Sequence, residues 1–149
     1  MLNIGDIVPN FETNGLSLNN KIQKISLNDF SGKKLLICLT QITQQREEQI
    51  IKRANLFRDF VNSINNAVVI FIFPVPIQEL GLAKKFIGLN GIYLSDPHKN
   101  IAKIFDIKYP QEKNEYPNIF LTTGDHKVYY ISKSEELNLE KIKALWNLV

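Results

Sequence analysis

Leu35-Leu36-Ile37-Cys38-Leu39 and Ala67-Val68-Val69-Ile70-Phe71-Ile72-Phe73 are unbroken apolar runs of strand length. Runs of this kind suit strands covered on both faces of a sheet. Between them Ile50, Ala54, Phe57, Val61 and Ile64 recur at steps of four and three, while Glu47, Lys52 and Asp59 fall elsewhere. That spacing predicts a long amphipathic helix from about Thr43 to Ile64, ended at Asn65-Asn66. The second run stops at Pro74 and Pro76, because proline cannot donate to a sheet ladder. Strand, helix and strand in this order point to an α/β sheet.

Working outward, a short apolar stretch near Phe11, a turn-rich patch from Asn14 to Asn20 and the alternating Ile22, Lys24 and Ser26 predict an early hairpin. Downstream, Ile77 to Ile87 reads as a helix and Ile92 to Leu94 as a short strand. Lys99 to Phe105 reads as a helix after the Ser95-Asp96-Pro97 turn. A polar loop from Lys108 to Tyr116 precedes strands at Ile119 to Thr122 and Val128 to Ile131, joined by a Gly124-Asp125 turn. A last helix runs from about Leu139 to Leu148. The sheet is therefore expected to be mixed in direction, with helices on both faces.

At 149 residues, with 44% apolar and 22% charged side chains, the chain is expected to form one globular domain over residues 1–149. A net charge of +3 with interspersed signs lacks the basic stripe that nucleic-acid binding requires. The start, Met1 to Pro9, carries Asp6 and lacks a signal peptide's basic and apolar regions, and no apolar run approaches bilayer-spanning length. No membrane association is expected, and the cytoplasm is the default compartment unless a leader has been removed. One cysteine, Cys38, excludes an intramolecular disulfide, a Cys-x-x-Cys pair and a resolving thiol. His98 and His126 are too far apart for metal-ligand spacing, so neither metal nor cofactor is expected.

Four segments carry a family resemblance. Gly5-Asp6-Ile7-Val8-Pro9-Asn10-Phe11 is similar to a Gly-x-x-x-Pro-x-Phe opening. Ser26-Leu27-Asn28-Asp29-Phe30-Ser31-Gly32-Lys33 is similar to a Leu-x-Asp-Phe-x-Gly-Lys approach to the first central strand. Tyr93-Leu94-Ser95-Asp96-Pro97 and the helix to Phe105 form the third, and Pro117-Asn118-Ile119-Phe120-Leu121 with Gly124-Asp125-His126-Lys127-Val128 the fourth. Together they resemble the alkyl hydroperoxide reductase and thiol-specific antioxidant (peroxiredoxin) branch of the thioredoxin-fold superfamily. The resemblance implies a thioredoxin-like fold with an N-terminal β-hairpin extension.

In that family the strand matching Leu35 to Leu39 leads to Pro-x-x-x-Thr-x-x-Cys, with the cysteine in the first turn of the next helix. This chain has Thr40-Gln41-Ile42-Thr43-Gln44-Gln45-Arg46 there. If Thr43 matches the motif threonine, Arg46 takes the nucleophile's place, and the stretch is about two residues short of an ungapped match. The family's arginine before the late strand maps to Pro117. Tyr116-Pro117 reads either as the cis-proline of thioredoxin-like proteins or as a trans proline opening a strand. Thr40, Thr43, Gln44, Gln45, Arg46 and Pro117 are thus the positions of a degenerate site.

The location matters because unpaired N–H groups and the dipole at a helix start stabilise a thiolate. Threonine and glutamine supply no electron pair that attacks a peroxide and becomes a sulfenic acid. Thr40 and Thr43 read more simply as helix caps than, with Arg46, as an anion pocket. Cys38, inside an apolar strand, reads as a small buried hydrophobe. His98 and His126 fall in turns and are expected to face solvent. Of Tyr129 and Tyr130, one ring should pack inward and one outward, and Trp146 should anchor a core.

The expectation is a redox-inactive peroxiredoxin-like protein kept for binding a protein partner or small ligand. Its competitors are an atypical thiol peroxidase or disulfide reductase using Cys38 with an external thiol, and an assembly module, with oligomers left open.

Overall fold

The computed structural model describes residues 2–39, 67–107, 118–132 and 139–148. Seven strands form one mixed sheet: β1 (Glu12–Leu16), β2 (Ile22–Ser26), β3 (Lys34–Leu39), β4 (Ala67–Phe73), β5 (Ile92–Ser95), β6 (Ile119–Thr122) and β7 (Val128–Ser132). Their spatial order is β2-β1-β5-β4-β3-β6-β7. Among the described residues three helices accompany them, α1 (Leu80–Ile87), α2 (Asn100–Ile104) and α3 (Leu139–Leu148), with single 3-10 turns at Leu27–Phe30 and Ile77–Glu79.

The two apolar runs are the centre of the sheet. β3 and β4 pair in parallel from Lys34↔Ala67 to Leu39↔Ile72, β4 and β5 pair in parallel, and β6 runs antiparallel to β3. Because side chains alternate across a strand, Leu35, Ile37 and Leu39 enter one core with Ile70, Ile72, Phe120 and α2, while Leu36 and Cys38 enter the other with Phe71, Phe73, Tyr93, α1 and Trp146 of α3. Helices therefore cover both faces, as the pattern predicts. The expected helix from Thr43 to Ile64 with its Asn65-Asn66 end, and the loop from Lys108 to Tyr116, lie outside the described residues.

The N-terminal hairpin exists, but its first strand extends through residues that read as turn. β1 runs through Asn14 and Gly15 to Leu16, and the turn closes at Ser17 to Lys21, with Asn20 at φ 62°. Gly15 sits in a strand because β5 presses on it: a Cβ there would lie 2.6 Å from the Tyr93 carbonyl oxygen. Local propensity suggested a turn, and the close approach of β5 explains the glycine instead. The helix expected from Ile77 opens as a 3-10 turn behind Pro76 and becomes α-helical at Leu80. Lys99 is excluded from α2 by its left-handed backbone, φ 61°.

Candidate functional site

The C-terminal ends of the parallel strands, the usual place for sites in α/β sheets, come together at Leu39, Phe73 and Ser95. Asn118 ties β3 to β6 at this edge. Leu39 N donates to the Asn118 carbonyl at 3.0 Å, Asn118 Nδ2 donates to the Leu39 carbonyl at 3.2 Å, and Asn118 N donates to Ser132 at 3.0 Å. Asp96 does similar work beside β4. Its N–H donates to the Phe73 carbonyl at 2.8 Å, and its carboxylate accepts Ile101 N and Ala102 N at 3.0 and 2.9 Å. It thereby satisfies two of the orphan donors that open α2.

Cys38 stands one residue inside this edge. Its backbone is paired in register with Phe71 on one side and Ile119 on the other, and its side chain is 4% exposed. The thiol is packed in the core that holds Leu36, Phe71, Phe73, Tyr93, Ile119, Leu121 and Trp146. Burial pushes the Tyr93 phenol well above the usual tyrosine range. The Leu89 carbonyl, which accepts its hydroxyl at 2.8 Å, opposes that shift, and the Cys38 thiol beside it adds to it. Attack on a peroxide needs an exposed thiolate in an electropositive setting. Cys38 is instead buried in a core that it shares with aromatic side chains.

Thr40, Thr43, Gln44, Gln45, Arg46 and Pro117, including the Tyr116-Pro117 peptide, lie outside the described residues. Among the described residues no cluster of three or more His, Cys, Asp or Glu side chains could hold a metal ion. Two open surface grooves lie elsewhere. One, of about 410 Å³, is lined by Asn20, Lys84, Lys85 and Asn90 among others. The second, of about 270 Å³, lies at the N-terminal ends of β4 and β5.

The structure corrects two readings of the late hairpin. His98 is exposed, but His126 is buried, with φ 63° and its Nε2 3.0 Å from the Phe30 carbonyl. The reason is a junction of three separate segments. Val8 N donates to the His126 carbonyl, Leu27 N to Phe11, and Gly32 N to Gly124; the Asn10 side-chain oxygen accepts Ser26 Oγ and Asn28 N. A Cβ on Gly124 would lie 3.0 Å from the Gly32 carbonyl oxygen, so a side chain would crowd this crossing of two turns. Tyr129 and Tyr130 do not split inward and outward. A register shift between Leu121 and Thr122 lets both pack, half-buried, against the same core. A bulge adds a residue and breaks the alternation. Trp146 is a core residue as expected, 6.5 Å from Tyr129 between ring centroids.

The segments 5–11, 26–33 and 124–128 thus meet at the end of the sheet opposite Leu39, where they hold the scaffold. No signal within any one of them announces the junction, though the Gly32 and Gly124 turns are visible.

Comparisons with known proteins agree with this architecture. The mitochondrial 2-Cys peroxiredoxin of Plasmodium falciparum superposes with a TM-score of 0.72 at 19% identity, over 97% of this chain and 92% of that one. Peroxidoxin BcpB of Mycobacterium tuberculosis gives 0.72 at 18%, over 100% and 99%. AhpC from the same organism gives 0.68 at 12%, over 99% and 92%. At these identities the likeness is one of fold. No curated protein sequence matches the chain. The sequence model of the AhpC/TSA family matches residues 4–131, a span holding β1 to β6, β7 up to Ile131 and the Asn118, Asp96 and His126 anchors just described; the chain belongs to the AhpC/TSA family, the peroxiredoxin-like branch of the thioredoxin fold.

Proposed function

We propose that this chain is a single peroxiredoxin-like domain, residues 1–149, that has given up thiol peroxidase chemistry and binds a protein partner or a small ligand in the cytoplasm. The supporting observation is the placement of its one cysteine. Cys38 belongs to the interior of β3, sealed in the core and held by ladders on both sides. A peroxide oxygen reaches that sulfur only after the side chains packed over this face of the sheet move aside. No other residue of the chain carries a thiol, so nothing else can form the sulfenic acid on which the family's chemistry turns.

In this reading Thr40, Thr43, Gln44, Gln45 and Arg46 stand where the family's thiolate loop would be, and Pro117 stands at its late arginine. Threonine, glutamine and arginine side chains offer hydrogen-bonding groups but no thiolate, which suits recognition and not peroxide reduction. Among the described residues no helix is long and apolar enough to cross a membrane.

The test is a peroxidase and disulfide-reductase assay with an external thiol, run on the native protein beside Cys38→Ala. The expected result is turnover at the buffer rate for both. A native turnover that disappears in Cys38→Ala would establish the atypical enzyme instead. Thiol labelling separates the two readings independently: modification at neutral pH only after denaturation supports a sealed Cys38, and rapid modification of the native protein overturns it.

A further inference from the structure

The sequence contains two Asn-Gly pairs, Asn14-Gly15 and Asn90-Gly91. The structure places them in opposite situations. We infer that Asn90-Gly91 is a site of spontaneous backbone-assisted modification, converting Asn90 to aspartyl and isoaspartyl forms, and that Asn14-Gly15 is protected.

The chemistry needs no enzyme. The Gly91 backbone nitrogen attacks the Asn90 side-chain carbonyl carbon, a C–N bond forms, the bond to Nδ2 breaks, and ammonia leaves with the amide proton. Water then opens the resulting five-membered imide at either carbonyl. One opening gives aspartate; the other gives isoaspartate, with the chain continuing through the former side chain. Glycine on the C-terminal side favours the attack, because no Cβ screens its nitrogen and its backbone rotates freely.

The attack also requires a mobile, solvated asparagine. Asn90 is exposed and belongs to neither a helix nor a strand. It follows the left-handed Gly88 that ends α1 and borders both surface grooves, so water meets it from two sides. Asn14 is exposed too, which makes the comparison informative. Its backbone is inside β1, paired with Lys24 of β2, and Gly15 is held between Gln23 of β2 and Leu94 of β5. Gly15 is buried with its backbone against the Tyr93 carbonyl, so it cannot rotate toward the Asn14 side chain until β1 leaves the sheet. Exposure of the asparagine and burial of the glycine are shared; Gly91 precedes β5 and lies outside its ladder, whereas Gly15 is paired on both sides.

The product changes the groove it borders. Lys84 and Lys85 line the same groove, and Lys84 Nζ donates to the Asn20 side-chain oxygen. A carboxylate at position 90 introduces the first acidic group among that groove's lining residues, one able to compete for those ammonium groups. The isoaspartyl form also adds a methylene to the chain immediately before Gly91, whose backbone packs on the Phe71 ring.

The experiment incubates the full chain under mildly alkaline, native conditions and follows both sites by peptide mass spectrometry, with chain held in denaturant as reference. The two pairs should react at similar rates in the denatured chain. In the native protein Asn90 should convert about tenfold or more faster than Asn14, for which strand opening must come first. Asn90→Gln should remove the native product almost entirely. Equal native rates at the two sites, conversion of Asn14 ahead of Asn90, or product persisting in Asn90→Gln would overturn the inference.

Discussion

The two faces of the sheet are built from different materials. The face bearing Leu35, Ile37 and Leu39 has a core of aliphatic side chains and phenylalanines, from Val8 and Phe11 through Phe105 to Phe120 and Val128, with the buried Thr122 hydroxyl at its margin accepting Leu35 N. The face bearing Leu36 holds the core side chains with polar tips: Cys38, Tyr93, Tyr129, Tyr130 and Trp146. Apolar side chains ask only for shape and volume. A core with polar tips must also satisfy them. Tyr93 finds the Leu89 carbonyl, whereas the buried Tyr129 hydroxyl has no hydrogen-bond partner among the described residues. The lone thiol belongs to this second face, where it adds volume to a wall already closed by aromatic rings.

Three substitutions break or sharpen this contrast. The largest effect falls on the apolar face. Phe120 is 2% exposed and lies 4.8 Å from Phe105 between ring centroids, so Phe120→Ala should cost about 3–5 kcal/mol in denaturant unfolding. A loss below about 1 kcal/mol would mean that this face collapses around the gap.

Cys38→Ser comes next, replacing a weakly polar thiol in this buried core by a hydroxyl with a stronger demand for partners. Its expected cost is about 1–3 kcal/mol by the same measurement, with Cys38→Ala closer to native because it leaves only a small void. A serine variant as stable as the native protein would show that water reaches the position.

Tyr129→Phe should have the smallest effect and the opposite sign, neutral to about 1 kcal/mol stabilising, since it removes a buried hydroxyl with nothing to bond. It also has a signature in pH. Burial raises both the Tyr93 and the Tyr129 phenols above the ordinary tyrosine value of about 10. A raised folded-state pKa means that the unfolded chain loses its proton first. The stabilising contribution is therefore whole below about pH 10 and is lost as pH climbs through the folded value. Alkaline unfolding of Tyr129→Phe should show a shallower loss of stability above about pH 10 than the native protein. Superimposable alkaline curves would sink the assignment.

The central strands were legible from the sequence because their information is local. Ala67–Phe73 begins and ends where the apolar run and Pro74 say it does, and Leu35 to Leu39 gains only Lys34. The family resemblance was legible as well, and residues 4–131 carry it. That the one cysteine lies inside an apolar strand run is likewise a fact of sequence, and β3 holds it.

Tertiary structure decided what depends on distant partners. Asn14-Gly15 reads as turn until β5 arrives, about eighty residues later in the chain, to press on the glycine. His126 reads as a surface turn residue until Phe30 and Val8 close over it, and Tyr129 reads as one half of an alternating pair until a bulge adds a residue to β7. Periodicity and composition report what a segment buries. They carry no record of which segment covers it, because pairing is settled by the free energy of the whole sheet and not by the residues on either side.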